Sequence, residues 1–189
     1  MKKLLCIDGN SILNRSFSGI RLLTTKDGFP TNALYGLVGV ISRELEALKP
    51  DYAAIAYDLK APTFRHQMYD AYKAGRHAMP DELRAQMPVS REFAEMLGLH
   101  ILDREGYEAD DVIGTLAHKA AAQGYDVYMV TPDKDFGQLV TPTVRIYKQR
   151  KGGEGVEIVG LEQIKEHYGF DDPRKVIDIL ALWGDAADN

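Results

Sequence analysis

The chain has 189 residues, 45% of them hydrophobic, and a net charge of −5. That is enough chain for one domain with a sizeable core, and a single cysteine, Cys6, excludes an intrachain disulfide framework. No apolar run approaches membrane-spanning length, and Asp8 interrupts the run Leu4–Ile7 before it could serve as a secretory segment, so a soluble cytoplasmic protein is expected.

Short apolar runs alternate with longer helical patterns. "KLLCI" (Lys3–Ile7) reads as a buried strand. "NALYGLVGVISRELEAL" (Asn32–Leu48) has helical periodicity, with Leu34, Leu37, Val38, Ile41 and Leu45 on one face and Pro50 marking its end. "YAAIAY" (Tyr52–Tyr57) is a second strand and "LHIL" (Leu99–Leu102) a third, after a helical run ending at Gly98. A helix opening at Glu108 turns Val112, Ile113, Leu116, Ala117 and Ala120 inward and is capped by Gly124. "DVYMVT" (Asp126–Thr131) is a fourth strand, and "TVRIYK" and "VEIVG" suit a hairpin across "QRKGGEG". Closing helices fit Leu161–Tyr168 and Pro173–Trp183. Such alternation predicts an α/β fold: three layers, α/β/α, around a mostly parallel sheet. Pro80 and Pro88 punctuate the stretch Lys60–Arg91, which reads as an insertion of short helices and loop above the sheet.

Charge is segregated along the chain. Lys60–Arg91 holds six Lys/Arg against three Asp/Glu, a local +3, which leaves −8 for the remainder. Acids recur where strands end, the edge at which open parallel sheets bind ligands. Asp8 follows the first strand and Asp58 the second. Glu108, Asp110 and Asp111 follow the third, and Asp133 and Asp135 the fourth. Asp185 and Asp188 follow the last helix. Each has a bland reading, as a helix cap, a dipole partner or a solvated turn residue. Nine converging carboxylates are harder to explain that way, because they repel one another unless something positive offsets them. Hard divalent cations with oxygen ligands, Mg²⁺ or Mn²⁺, fit best, whereas one Cys and five scattered His disfavour zinc. So many acids suggest two ions, which about 4 Å apart would clamp the attacking and leaving oxygens of a phosphate displacement. "FRHQMYDAYKAGR" adds Arg65, His66, Lys73 and Arg76 for phosphates, with Tyr69 and Tyr72 able to stack on unpaired bases. Were this segment helical, Tyr69, Lys73 and Arg76 would share a face.

Six motifs in order, "CIDGNSILNRSF", "TNALYGL", "YDLKAPTFRHQMYDAYKAGR", "GYEADDVIGTLA", "TPDKDFGQLV" and "ALWGDAADN", resemble the 5′-nuclease domain at the N-terminus of bacterial DNA polymerase I. That domain belongs to the flap-endonuclease family, which has a PIN-like, Rossmann-like fold, and the resemblance runs from Lys2 to Asn189. It implies a single 5′-nuclease domain over residues 1–189, with a helical arch inserted at about residues 60–91. It implies a 5′→3′ exonuclease and 5′-flap endonuclease acting on DNA in replication and repair, monomeric, with a polymerase domain possible in the full-length chain. One metal would lie near Asp8, Asp58, Glu108, Asp110 and Asp111, the second near Asp133, Asp135, Asp185 and Asp188. Lys73 and Arg76 match cations that contact the scissile phosphate, and Tyr72 a residue that stacks near the 5′-terminal nucleotide. Arg15 and Arg21 are further candidates for binding phosphates. Family members continue into a glycine-rich helix–hairpin–helix-like element, so this chain reads as a fragment that keeps the metal site and grips duplex DNA poorly.

Two other classes remain open at this point. A haloacid-dehalogenase-type phosphatase also begins with an Asp after its first strand, but usually carries a second Asp two residues on, where this chain has Asn10. A non-catalytic DNA-binding module would be expected to lack some of the nine acids. Within "EGYEADDVIG", Glu108 and Asp111 share a helix face and Asp110 points elsewhere, so unequal roles are expected; the family resemblance, rather than the spacing, implies that Asp110 is the most direct ligand.

Overall fold

The computed structural model describes residues 1–75, 78–149 and 155–184. Among these residues six strands form one sheet: β1 (Lys3–Asp8), β2 (Tyr52–Ala56), β3 (His100–Leu102), β4 (Asp126–Val130), β5 (Val144–Gln149) and β6 (Val156–Val159). Their spatial order is β3-β2-β1-β4-β5-β6. The first five are parallel, and β6 alone runs antiparallel, closing the expected hairpin against β5. Alternate strand residues enter opposite cores: Leu4 and Cys6 one, Leu5 and Ile7 the other. Because both faces are covered, β1 reads as a continuous apolar run.

Among the described residues seven helices complete the layers: α1 (Gly9–Gly19), α2 (Asn32–Leu48), α3 (Phe64–Met68), α4 (Asp81–Met96), α5 (Ala109–Ala122), α6 (Leu161–Tyr168) and α7 (Val176–Trp183). α1, α2 and α4 supply the core of one face. α5, α6, α7 and a 3₁₀ turn at Lys134–Leu139 supply the other.

Three elements differ from the sequence reading. α1 has no strong sequence signal, since Gly9, Asn10, Ser11, Asn14, Ser16 and Ser18 are weak helix formers. It forms because Asp8 caps it and because it packs closely on α2, where a Cβ on Gly36 would meet Ser16 Oγ at 2.2 Å. Next, α4 is a full helix of the layer, although Pro88 lies inside it. Burial of Leu83, Gln86, Ser90 and Ala94 outweighs the one backbone bond that Pro88 removes. Gln86 also bonds this helix to its neighbour, donating to Asn32 Oδ1 (3.2 Å) and accepting from the Leu34 amide (3.1 Å). The insertion above the sheet is therefore shorter than Lys60–Arg91. Last, its helical part stops at Met68, and Lys73 sits at a positive φ of 56°, so Tyr69 and Lys73 do not share a helix face. Arg76 lies outside the described residues.

The sheet order positions the site. From β1 the chain moves outward to β2 and β3, then α5 carries it back across to β4 on the other side of β1. This reversal opens a crevice beyond the carboxyl ends of β1 and β4, where ligands bind in such sheets.

Candidate active site

A cavity of about 460 Å³ occupies that crevice. Seven of the nine predicted acids line it: Asp8, Asp58, Glu108, Asp110, Asp111, Asp133 and Asp135. Asp185 and Asp188 lie outside the described residues. Arg65, Tyr72 and Lys73 close its lip. Four connections after four strands thus deliver one acidic basin.

β1 passes into α1 without a loop. Asp8 ends the strand and caps the helix, accepting from the Ser11 amide at 3.0 Å. Its other oxygen accepts from the Thr131 hydroxyl at 2.8 Å. Gly9 follows because a Cβ there would stand 2.8 Å from the Tyr57 ring and 2.9 Å from the Ala56 carbonyl. Burial pushes the Asp8 carboxyl up, against the pull of the Ser11 and Thr131 bonds. Asp58 is exposed, and its Oδ1 accepts from the Ala109 amide at 2.7 Å, so it caps α5 from another element. Asn10 braces it in both directions, donating to Asp58 Oδ2 (3.0 Å) and accepting from the Asp58 amide (3.2 Å). Asp133 caps the following 3₁₀ turn through the Asp135 amide. The capping and the clustering readings thus hold together for these side chains.

The three acids at the start of α5 separate as their helical spacing implies. Glu108 and Asp111 form a reciprocal capping box and face the insertion. Arg65 grips Asp111 with two 2.7 Å bonds and reaches Glu108 at 3.4 Å. Lys73 donates to Glu108 Oε1 at 2.7 Å and the Tyr72 hydroxyl to Oε2 at 3.1 Å. The Arg65 guanidinium holds the Asp111 carboxyl below the usual carboxylate range. Asp110 instead faces the other acids. Burial, then Asp8, Asp133, Asp58 and Glu108 in that order, push its carboxyl up to about 8.

The positive groups that offset part of the acidic charge thus come from the insertion, which the spacing of the acids alone did not show. Among the described residues, no three His, Cys, Asp or Glu side chains are drawn together tightly enough to cage an ion as they stand. His66 does not line the basin. Its Nδ1 pairs with the Thr63 hydroxyl at 2.9 Å, and its ring meets the Tyr72 ring edge-on at 5.2 Å, so it props Tyr72. Arg15 lines a second cavity, and Arg21 is exposed and lines neither. Sequence reasoning missed Thr131 and the bracing role of Asn10. "VTPD", with a hydroxyl two residues before Asp133, was the available signal for the first. Asn10 supplies no second carboxylate, as the phosphatase alternative would require.

Five parallel strands with an antiparallel sixth at the edge, and a basin of acids at the switch point, define an α/β protein with a candidate ligand site beyond its strand ends. Residues 3–169 match the family described as 5′-3′ exonuclease, N-terminal resolvase-like domain, and the chain belongs to that family. It is 41% identical over 188 residues to DNA polymerase I of Bacillus subtilis, covering 100% of this chain and 21% of that protein. It is 38% identical to the 5′-3′ exonuclease of Aquifex aeolicus, covering 100% of this chain and 64% of that one. The chain therefore spans about a fifth of the one relative and under two thirds of the other. Its fold matches a bacteriophage T5 flap endonuclease solved as a pseudo-enzyme-product complex with DNA and metal ions, with a TM-score of 0.70 and 21% identity, over 100% of this chain and 68% of that one. Among the described residues no helix is long and apolar enough to cross a membrane.

Proposed function

We propose that this chain is a divalent-metal-dependent 5′ nuclease that hydrolyses DNA phosphodiesters at a 5′ end or 5′ flap. The observation that carries this reading is the convergence of seven carboxylates on one switch-point basin with Arg65, Lys73 and Tyr72 at its lip. Family membership and the metal- and DNA-bound T5 relative support it.

The donor set fits hard cations. Among the described residues no His or Cys lines the basin, and the field that pushes Asp110 up is one a cation would relieve. Asp8, Asp58, Glu108, Asp110 and Asp111 would hold one Mg²⁺ or Mn²⁺. Asp133 and Asp135, with Asp185 and Asp188, would hold a second. When bound, such a pair lowers the pKa of the attacking water and stabilises the departing oxygen. Lys73 and Arg65, now paired with Glu108 and Asp111, place positive charge where a phosphate would approach, and Arg76 is assigned the same task. The Tyr72 ring, propped by His66, offers a face for the terminal base. Arg15 and Arg21 are assigned to phosphates farther along the strand. The natural setting is replication and repair, as a monomeric domain with a polymerase domain elsewhere in the full-length protein.

The test is cleavage of a 5′-flap DNA with Mg²⁺, with EDTA, and with Asp133→Asn. Activity is expected only for the unsubstituted chain with metal. Cleavage that survives both EDTA and the substitution would sink the proposal.

A further inference from the structure

Seven carboxylates line the basin, and mutual repulsion works to turn each of them away from it. Asp8 is 1% exposed and walled in. Glu108 and Asp111 are held by Lys73 and Arg65. Asp58 has neither kind of support. It is exposed, and the bonds its carboxylate accepts come from neutral groups, the Ala109 amide at 2.7 Å and the Asn10 side chain at 3.0 Å. Turning the Asp58 side chain out into water would relieve the repulsion, at the cost of those two bonds.

The chain holds Asn10 firmly in place for this task. Asn10 is the second residue of α1, whose start is fixed by the Asp8 cap on the Ser11 amide. The close approach at Gly9, where a Cβ would stand 2.9 Å from the Ala56 carbonyl, sets Asn10 beside the end of β2. Its side chain then closes a ring with Asp58. Nδ2 donates to Asp58 Oδ2, and Oδ1 accepts from the Asp58 amide at 3.2 Å. A carboxylate can only accept and a backbone amide can only donate, so the two partners fix both ends of the Asn10 amide. An ionised Asp at this position would have no hydrogen to give to Asp58 and would add to the repulsion. Asn10 and Ala109 thus take one Asp58 oxygen each, from α1 and from the start of α5.

We propose that Asn10 is a positioning residue, which keeps Asp58 turned into the basin and so sets the affinity of the cation assigned to Asp58 and its neighbours. This rests on the divalent-metal reading above. Removing an outer partner of a metal-binding side chain typically costs ten- to a hundredfold in metal affinity.

The test is calorimetric titration of Mn²⁺ into the chain stripped with EDTA and dialysed, with no DNA present. Asn10→Ala is expected to weaken Mn²⁺ binding by about tenfold. Alanine suits a helix better than asparagine does, so circular dichroism should show the fold kept. A merely structural Asn10 would lower the melting temperature of the stripped chain and leave the Mn²⁺ affinity where it was. Asp58→Ala should also weaken binding, and adding Asn10→Ala to it should weaken binding no further, because Asn10 acts through Asp58. If Asp58→Ala does not fold, Asn10→Ala decides the matter alone. Unchanged Mn²⁺ affinity in Asn10→Ala overturns the inference and leaves the nuclease reading standing. So do losses that simply add in the double variant. An unsubstituted chain that binds no Mn²⁺ overturns both.

Discussion

Asp110 and Asp111 are neighbours with opposite electrostatics. Asp111 meets Arg65 and is held low, whereas Asp110 meets four acids and is pushed up to about 8 from 3.8. The signs of the stability effects follow. A folded chain that keeps the Asp110 proton binds more protons than the unfolded chain between about pH 4 and pH 8, so Asp110 lowers stability as pH rises through that window. Asp110→Asn is expected to stabilise the EDTA-treated chain at pH 8 by on the order of 2 kcal/mol, read as a higher melting temperature, while abolishing flap cleavage. A melting temperature unchanged by this substitution would contradict the burial argument. For Asp111 the sign reverses. Its ion pair contributes stability above the unfolded carboxylate pKa and loses it as pH falls through the lower folded value. Arg65→Ala should therefore move the acid-unfolding midpoint to higher pH, and Arg65→Lys should restore only part of it because it cannot grip both oxygens.

At the scale of elements, polar side chains join what apolar packing brings together. Asn32, at the start of α2, donates to the Phe17 carbonyl (3.1 Å) and the Ile20 carbonyl (3.2 Å), and so receives the end of α1. Gln86 of α4 donates to Asn32 and accepts from Leu34. Three helices of one layer thus meet in a single buried network. Gln86→Leu keeps the volume and leaves the Leu34 amide and the Asn32 carbonyl oxygen without these partners. It is expected to cost about 2 kcal/mol in urea unfolding, with little direct effect on the basin. The insertion is anchored at its base in a similar way. The Phe64 amide donates to the Gly106 carbonyl at 2.9 Å, and the Phe64 and Tyr107 rings meet at 5.6 Å. α3 is therefore tied to the loop that leads into the acids of α5, which brings Arg65 to Asp111.

Across the whole molecule, segregated charge folds into opposed surfaces. The acids gather beyond β1 and β4 and the cations of the insertion lean over them. If the basin holds Mg²⁺, metal at a hundred times the dissociation constant should stabilise the chain by about 2.7 kcal/mol, read as a higher melting temperature. Asp8→Asn with Asp133→Asn should remove that gain, which differential scanning calorimetry would register. The layered fold and the acidic edge were legible in the sequence, because strand-length apolar runs, helical periodicity and acids at strand ends are local patterns in the chain. α1 was not legible, since its polar residues have weak helical preference and its stability comes from a cap and from contact with α2. Nor was α4 in full, because Pro88 argues locally for a break that buried packing overrides. The sequence by itself determined that Asp8, Asp58, Glu108, Asp110, Asp111, Asp133 and Asp135 share an edge. Only the tertiary structure decided that Arg65 and Lys73 neutralise Glu108 and Asp111 while Asp110 stays among acids, because pairing across 35 to 46 residues depends on where the insertion folds back.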